Sequence, residues 1–335
     1  PRQSATMPVR ETAVAAAVLV TLTTLFHEAA SGPSCQDRDY LSACSQDCEN
    51  YKFYTCANIN KVGDFYHYVQ RALKYPNLWF ILEDSQLDYY PGGTFVDGNV
   101  SVIELRNARV HSFAQFETGP NPFLGIEDSL EIIIFREGST LPYSWKIFDR
   151  LRKLEKLEFW NMKHLELTGD FNDLPQTMTR VYIYNSTIGY IDENWLSSLK
   201  NLKLVIVRDT NLRKFLRSML PLPALKLREL DLERNALTFL PEDIGQGFPV
   251  LEFLNVGRNN ITTLNQKSLA PLRNGTYVYL FGNPLHCDCR LRFLLEYSDD
   301  WTYAHCVSPA AVKGSYLKTL SAEQMTCGND SKVMS

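Results

Sequence analysis

Leu227-x-x-Leu230-x-Leu232-x-x-Asn235-x-Leu237 is followed 24 residues later by Leu251-x-x-Leu254-x-Val256-x-x-Asn259-x-Ile261. A third copy, Val278-x-Leu280-x-x-Asn283-x-Leu285, keeps the frame with Gly275 in the first apolar place. Alternation of apolar residues gives a short strand with one face turned inward. The chain must then leave the strand inside an apolar interior, where unpaired backbone groups are costly. An Asn at that corner donates and accepts at once, so stacked Asn235, Asn259 and Asn283 can satisfy those groups.

The phrase resembles the leucine-rich repeat. Extended backwards, the corner position falls at Thr210, Ser186, Met162, Gly138, Ala108 and Ser85, with successive intervals of 25, 24, 24, 24, 30 and 23 residues. The preceding strands carry Val205/Val207, Val181/Ile183, Leu157/Phe159, Ile133/Phe135, Ile103/Leu105 and Phe80/Leu82. About nine repeats are expected over 77–285. A solenoid tolerates loss of the Asn because each repeat is stabilised mainly against its neighbours.

Eight cysteines stand in two groups of four: Cys35, Cys44, Cys48 and Cys56, then Cys287, Cys289, Cys306 and Cys327. None lies in the repeats, so staples are expected at the ends. Four cysteines allow three pairings, and spacing alone does not choose among them. Asn283-Pro284-x-x-Cys287-x-Cys289, followed by Leu291, Leu294 and Leu295, resembles the C-terminal cap of extracellular cysteine-capped leucine-rich-repeat proteins. That resemblance implies Cys287–Cys306, Cys289–Cys327, Cys35–Cys48 and Cys44–Cys56. It also implies the fold, an α/β solenoid: a horseshoe with a parallel concave sheet, a short irregular convex side and disulfide-bonded caps. The divergent N-terminal cap and sparse Asn column are similar to arthropod secreted proteins akin to the non-catalytic subunit of shrimp luciferase.

Ala13 to Phe26 is an apolar run of signal-peptide length. The expected organisation is 1–31 as upstream residues and signal peptide starting at Met7, 32–76 as N-terminal cap, 286–327 as C-terminal cap and 328–335 as a polar tail. Phe65, Val69 and Leu73, at helical spacing, are expected to cover the open end of the first repeat strand. The 30-residue interval holds Gly119-Pro120-Asn121-Pro122, a turn expected to bulge outward. The product is expected to be secreted, with no membrane span or lipid anchor.

Formal charge of -4 and a pI near 5.9 argue against nucleic acid and anionic membranes as partners. No nucleophile, phosphate-loop or zinc-protease signature is present, so catalytic residues, cofactor and metal are all assigned as none. His286 and His305 adjoin Cys287 and Cys306, but an oxidising compartment favours disulfides over zinc there.

Recognition remains. Residues between the inward positions point out from the concave sheet. The middle repeats concentrate Ile134, Trp160, Tyr182, Tyr184 and Ile206 there, rimmed by Arg136 and Arg208. Strand propensity alone also selects aromatics, yet such clusters are uncommon on solvated surfaces and typical of interfaces. The expected partner is an extracellular protein ligand or partner subunit, or a second copy in a homo-oligomer. Asn99, Asn185, Asn260, Asn274 and Asn329 head Asn-x-Ser/Thr glycosylation acceptors.

Overall fold

The computed structural model describes residues 43–47, 53–115, 119–272, 275–298 and 301–327. The expected signal peptide and tail, Cys35, Cys48, Asn274 and Asn329 lie outside them.

One open eleven-stranded sheet runs in chain order. Its first strand, Cys44–Gln46, pairs antiparallel with Phe53–Ala57, and every later pair is parallel. Nine strands follow the hairpin: Leu78–Glu83, Val100–Arg106, Ile132–Arg136, Lys156–Trp160, Arg180–Tyr184, Leu204–Arg208, Glu229–Asp231, Phe253–Asn255 and Tyr277–Tyr279. Inward residues such as Leu157, Phe159, Val181, Ile183, Leu230 and Leu254 are at most 1% exposed. The opposite, convex wall is irregular, made of 3-10 turns such as Trp145–Phe148 and Gly169–Asp173 and of short two-stranded pairs. Large aromatics fill the space between the walls, with Phe135 stacked on Phe159 and Trp145 edge-on to both.

The N-terminal cap segment contributes two strands to the sheet, which changes the role of the helix after it. Helix Val62–Ala72 buries Phe65, Val69 and Ala72, with Phe65 edge-on to Phe80. It lies between two paired strands, as a convex element of a further repeat, and does not cover an open edge. Leu73 is its C-cap residue and is half-buried. The open edge is closed instead by the hairpin, tied by Cys44–Cys56 across directly paired positions.

The long interval does not bulge as an empty loop. Pro122, Phe123, Ile126 and Leu130 are buried, and Phe123 packs 5.1 Å from Phe148. Asn121 accepts from Phe123 N at 2.8 Å and donates to Ile147 O at 2.8 Å, stitching the loop to the next repeat. On its other side a Cβ at Gly92 would lie 2.4 Å from Pro120 Cγ, so only glycine allows this approach. Pro120 itself is exposed.

The corner column varies in chemistry. Asn259 donates to Leu232 O, Val256 O and Gly257 O at 2.9–3.1 Å and accepts from Leu237 N at 3.0 Å. Asn283 and Asn235 repeat the pattern. Earlier, a hydroxyl substitutes: Ser186 donates to Tyr184 O and accepts from Met162 N, and Ser85 serves Glu83 O and Ile59 N. In the fifth strand's turn the hydroxyl is Ser139, not position 138. The residue before each corner takes positive φ: Asp84, Asn107, Asn161, Asn185, Asp209, Arg234 and Arg258 have φ of 45–58°. At this turn Gly138 takes it, one place late, which moves the corner to Ser139.

At the C-terminus, Cys287–Cys306 and Cys289–Cys327 form with Cα separations of 5.6 and 5.1 Å. The cap's 3-10 helix Cys289–Glu296 buries Leu291 and Leu294, while Leu295 is half-buried. Trp301 is 2% exposed and donates to Thr276 O at 2.9 Å, closing the last repeat.

Candidate functional site on the concave sheet

Strand register arranges the outward residues in three columns. The middle one is Ile81, Glu104, Ile134, Glu158, Tyr182, Ile206, Asp231, Asn255 and Tyr279. On one side stand Arg136, Trp160, Tyr184 and Arg208. On the other stand Ile132, Lys156, Arg180, Leu204, Glu229, Phe253 and Tyr277. This third column lies outside the expected cluster, although the two-residue period that exposes Tyr182 also exposes Arg180.

The expected apolar cluster separates into two layers. Trp160 and Tyr184 stack at 4.3 Å and 25°, with Tyr182 edge-on to Tyr184 at 6.1 Å. All three are half-buried. Burial pushes the Tyr184 hydroxyl up to about 12 and raises Tyr182 as well. Ile134 and Ile206, by contrast, are 4% and 8% exposed. They form the floor of the face, not its contact surface, because the middle column lies between two columns of longer side chains.

The cations are also placed otherwise than expected. Arg136 and Arg208 do not stand free for a partner's carboxylates. Arg136 is hydrogen-bonded to Glu104 and lies 5.4 Å from the Trp160 ring centre. Arg208 is bonded to Asp231 through Nη2. Glu104 and Asp231 are each 1% exposed, so these carboxylates require their arginines. Glu104 additionally accepts from Arg106 at 2.8 Å and from Trp79 Nε1 at 3.0 Å. Burial acts to raise its pKa, but hydrogen bonds from Arg106 and Arg136 outweigh that and leave it below the usual value. Glu158 is held by Lys156 and by Trp160 Nε1 at 2.7 Å.

A second polar group lies in the cap. His286 Nδ1 is 2.7 Å from Ser308 Oγ, and its Nε2 is 3.4 Å from Asp288 Oδ2. Asp288 is already committed to Arg290, accepting from its backbone N at 2.9 Å and pairing with its Nη2 at 2.8 Å. Burial raises the Asp288 pKa less than these Arg290 hydrogen bonds lower it. The group clasps strand Leu285–His286 to Cys306–Ser308. Of the glycosylation acceptors, Asn99, Asn185 and Asn260 are exposed; the Asn185 amide nitrogen donates to Asn161 Oδ1 at 2.8 Å.

Residues 225–285 match the family model described as leucine rich repeat. Mouse leucine-rich repeat and fibronectin type-III domain-containing protein 2 is 32% identical over 102 residues, which is 30% of this chain and 11% of that protein. Mouse nephrocan is 30% identical over 152 residues, covering 43% of this chain and 28% of nephrocan. The chain thus spans about a ninth to a quarter of the length of these curated relatives. Among solved structures, human 5T4 (Wnt-activated inhibitory factor 1, trophoblast glycoprotein) superposes with TM-score 0.52 at 16% identity, over 85% of this chain and 97% of that one. A chain of the octameric complex of Latrophilin 3, Unc5D and FLRT2 (LRR) gives 0.59 at 17% identity, over 88% and 96%. The fold is a leucine-rich-repeat solenoid with a parallel sheet and disulfides near its termini. No helix among the described residues is long and apolar enough to cross a membrane.

Proposed function

We propose that this chain is a secreted, non-enzymatic recognition module that binds an extracellular protein on the concave sheet. The observation carrying this reading is the Trp160–Tyr184–Tyr182 cluster, held half-exposed on rigid neighbouring strands. Rigid aromatic surface loses little freedom on binding, and such residues dominate interface energetics. Solenoids present ligand surfaces on this side, and leucine-rich-repeat relatives are commonly binding proteins. The three disulfides among the described residues suit an oxidising compartment.

The test is to identify what co-purifies from the native fluid and to measure its affinity by calorimetry. Tyr184→Ala should weaken binding by about thirtyfold, or about 2 kcal/mol, as a central interface aromatic. Its melting temperature should stay close to that of the parent, because the ring lies outside the solenoid interior. Trp160→Ala should weaken binding similarly but also lower stability, since Trp160 braces Glu158. Unchanged affinity in both would move the ligand off this face. A second reading, a stabilising subunit of a secreted enzyme, has its own outcome: enzymatic activity in the co-purified partner. A pure homo-oligomer identifies a matrix component instead.

A further inference from the structure

Three cations on the concave face or at its corner turn each sit beside both an aromatic ring and a carboxylate. Arg136 has Trp160 and Glu104. Lys156 lies 5.0 Å from the Tyr182 ring centre and pairs with Glu158. Arg258 lies 5.5 Å from the Phe281 ring centre and 3.7 Å from Glu233. Ring and acid together favour a cation at such a point, one through its quadrupole and the other through its charge.

The same combination occurs a fourth time at the C-terminal end of the sheet, there without a cation from the described residues of the chain. Glu229, Phe253 and Tyr277 are successive members of one column. The Phe253 and Tyr277 rings stack at 5.5 Å and 19°. They are 36% and 46% exposed, and are the most open aromatics of the concave columns. In the column Phe253 stands between Tyr277, on which its ring stacks, and Glu229 on the preceding strand. Glu229 is half-buried; its backbone N donates to Lys203 O at 3.1 Å, but its carboxylate makes no hydrogen bond or ion pair among the described residues. The neighbouring arginines are occupied, Arg208 by Asp231 and Arg228 by Glu252. Burial and the nearby Asp231 charge push the Glu229 carboxyl up, outweighing the opposing charge of Arg208, which is bonded to Asp231 and not to Glu229.

We infer that this end of the concave sheet receives an arginine side chain of a protein partner, its guanidinium laid on the Phe253–Tyr277 pair and ion-paired with Glu229. The inference rests on the protein-binding reading and names the chemistry that part of the interface takes. Arginine fits better than lysine because its planar, weakly hydrated group stacks on a ring while bonding a carboxylate.

The probe is the blocked peptide acetyl-Gly-Arg-Gly-amide, titrated into the full chain by NMR. Its comparator carries citrulline, which keeps the shape and removes the charge. Weak binding of the arginine peptide is expected, with the citrulline peptide weaker by about tenfold. Glu229→Gln and Phe253→Ala should each weaken arginine binding by about threefold to tenfold. Glu229→Gln should melt no lower than the parent, and Lys163→Ala, at an exposed position outside the concave columns, should bind the peptide normally. Equal affinity for both peptides, or no effect of Glu229→Gln, overturns the inference. Self-association of this chain that Glu229→Gln abolishes overturns the assignment to a foreign chain. If the peptide fails while Tyr184→Ala still weakens capture of the native partner, this inference falls and the protein-binding reading stands. Loss of neither in any concave variant overturns both.

Discussion

Arg208 shows how a single side chain can read as a ligand contact and act as a structural one. Its guanidinium reaches the concave face, yet it answers Asp231, an acid in the floor that also accepts from Glu233 N at 3.0 Å and Asn255 Nδ2 at 3.3 Å. Removing Arg208 strands a buried charge, so Arg208→Ala should lower stability by about 2–3 kcal/mol. Chemical denaturation checks this, and a shift under about 0.5 kcal/mol, typical of free surface residues, would show that Asp231 does not depend on it. The two carboxylates with opposite shifts make a matched pH experiment. Glu104 has a lowered folded pKa, so its contribution is present above the unfolded value of 4.5 and is lost as pH falls through the folded one. Glu229 has a raised folded pKa, so its contribution is full below 4.5 and is lost as pH rises through the folded value. Melting curves from about pH 3 to 7 should therefore show Glu104→Gln losing most stability near neutrality and least in acid. Glu229→Gln should match or exceed the parent near neutrality. Parallel curves for parent and variants would refute both assignments.

At the scale of a single repeat, the corner side chain decides how the strand ends. Asn259 serves three carbonyls and one N–H, all inside the interior, while Ser186 serves one of each. Asn259→Ala should accordingly cost more than Ser186→Ala, about 3 kcal/mol against about 1. Equal losses on urea unfolding would mean that water or backbone shifts replace the missing bonds equally well. The contrast also marks what was legible in the sequence. Leu254 and Val256 announce a strand because apolar alternation has one cheap solution. The frame at Asn259 is readable because the corner demands both a donor and an acceptor. Ser139 was not readable, because the extra residue ahead of it is absorbed by Gly138 at positive φ, which leaves the apolar count unchanged. The helix Val62–Ala72 was legible as a helix from Phe65 and Val69, but its place was not. The strand ahead of it, Phe53–Ala57, lies among cap cysteines in an aromatic-dotted stretch without the leucine frame. On the candidate site, Trp160 and Tyr184 could be placed in one column from register alone. The burial of Ile134 and the engagement of Arg136 depend on side-chain lengths in flanking columns, which a one-dimensional period does not carry.

Across the whole molecule, contacts join each repeat to its neighbours, so stability should behave as a chain of interfaces with protected ends. The N-terminal end is closed by the antiparallel hairpin and Cys44–Cys56. The C-terminal end depends on Trp301, whose ring is buried and whose indole N–H satisfies Thr276 O at the start of the last strand. Tyr297 packs 4.5 Å from the Trp301 ring, and the Cys289–Cys327 bridge closes a separation of 38 residues around it. Trp301→Ala would empty this site and leave Thr276 O unpaired, a core truncation costing about 3–5 kcal/mol. The loss should not be shared evenly. Native-state hydrogen exchange should speed first at Tyr277–Tyr279, then at Phe253–Asn255, and hardly at all at Lys156–Trp160 or Leu78–Glu83, because each interface stabilises only its neighbours. The N-terminal hairpin and Cys44–Cys56 should hold their own end of the sheet folded in the variant. Uniform acceleration across all strands would show instead that the sheet unfolds as one cooperative unit, and that the cap protects the molecule by raising its global stability, not by blocking fraying from one end.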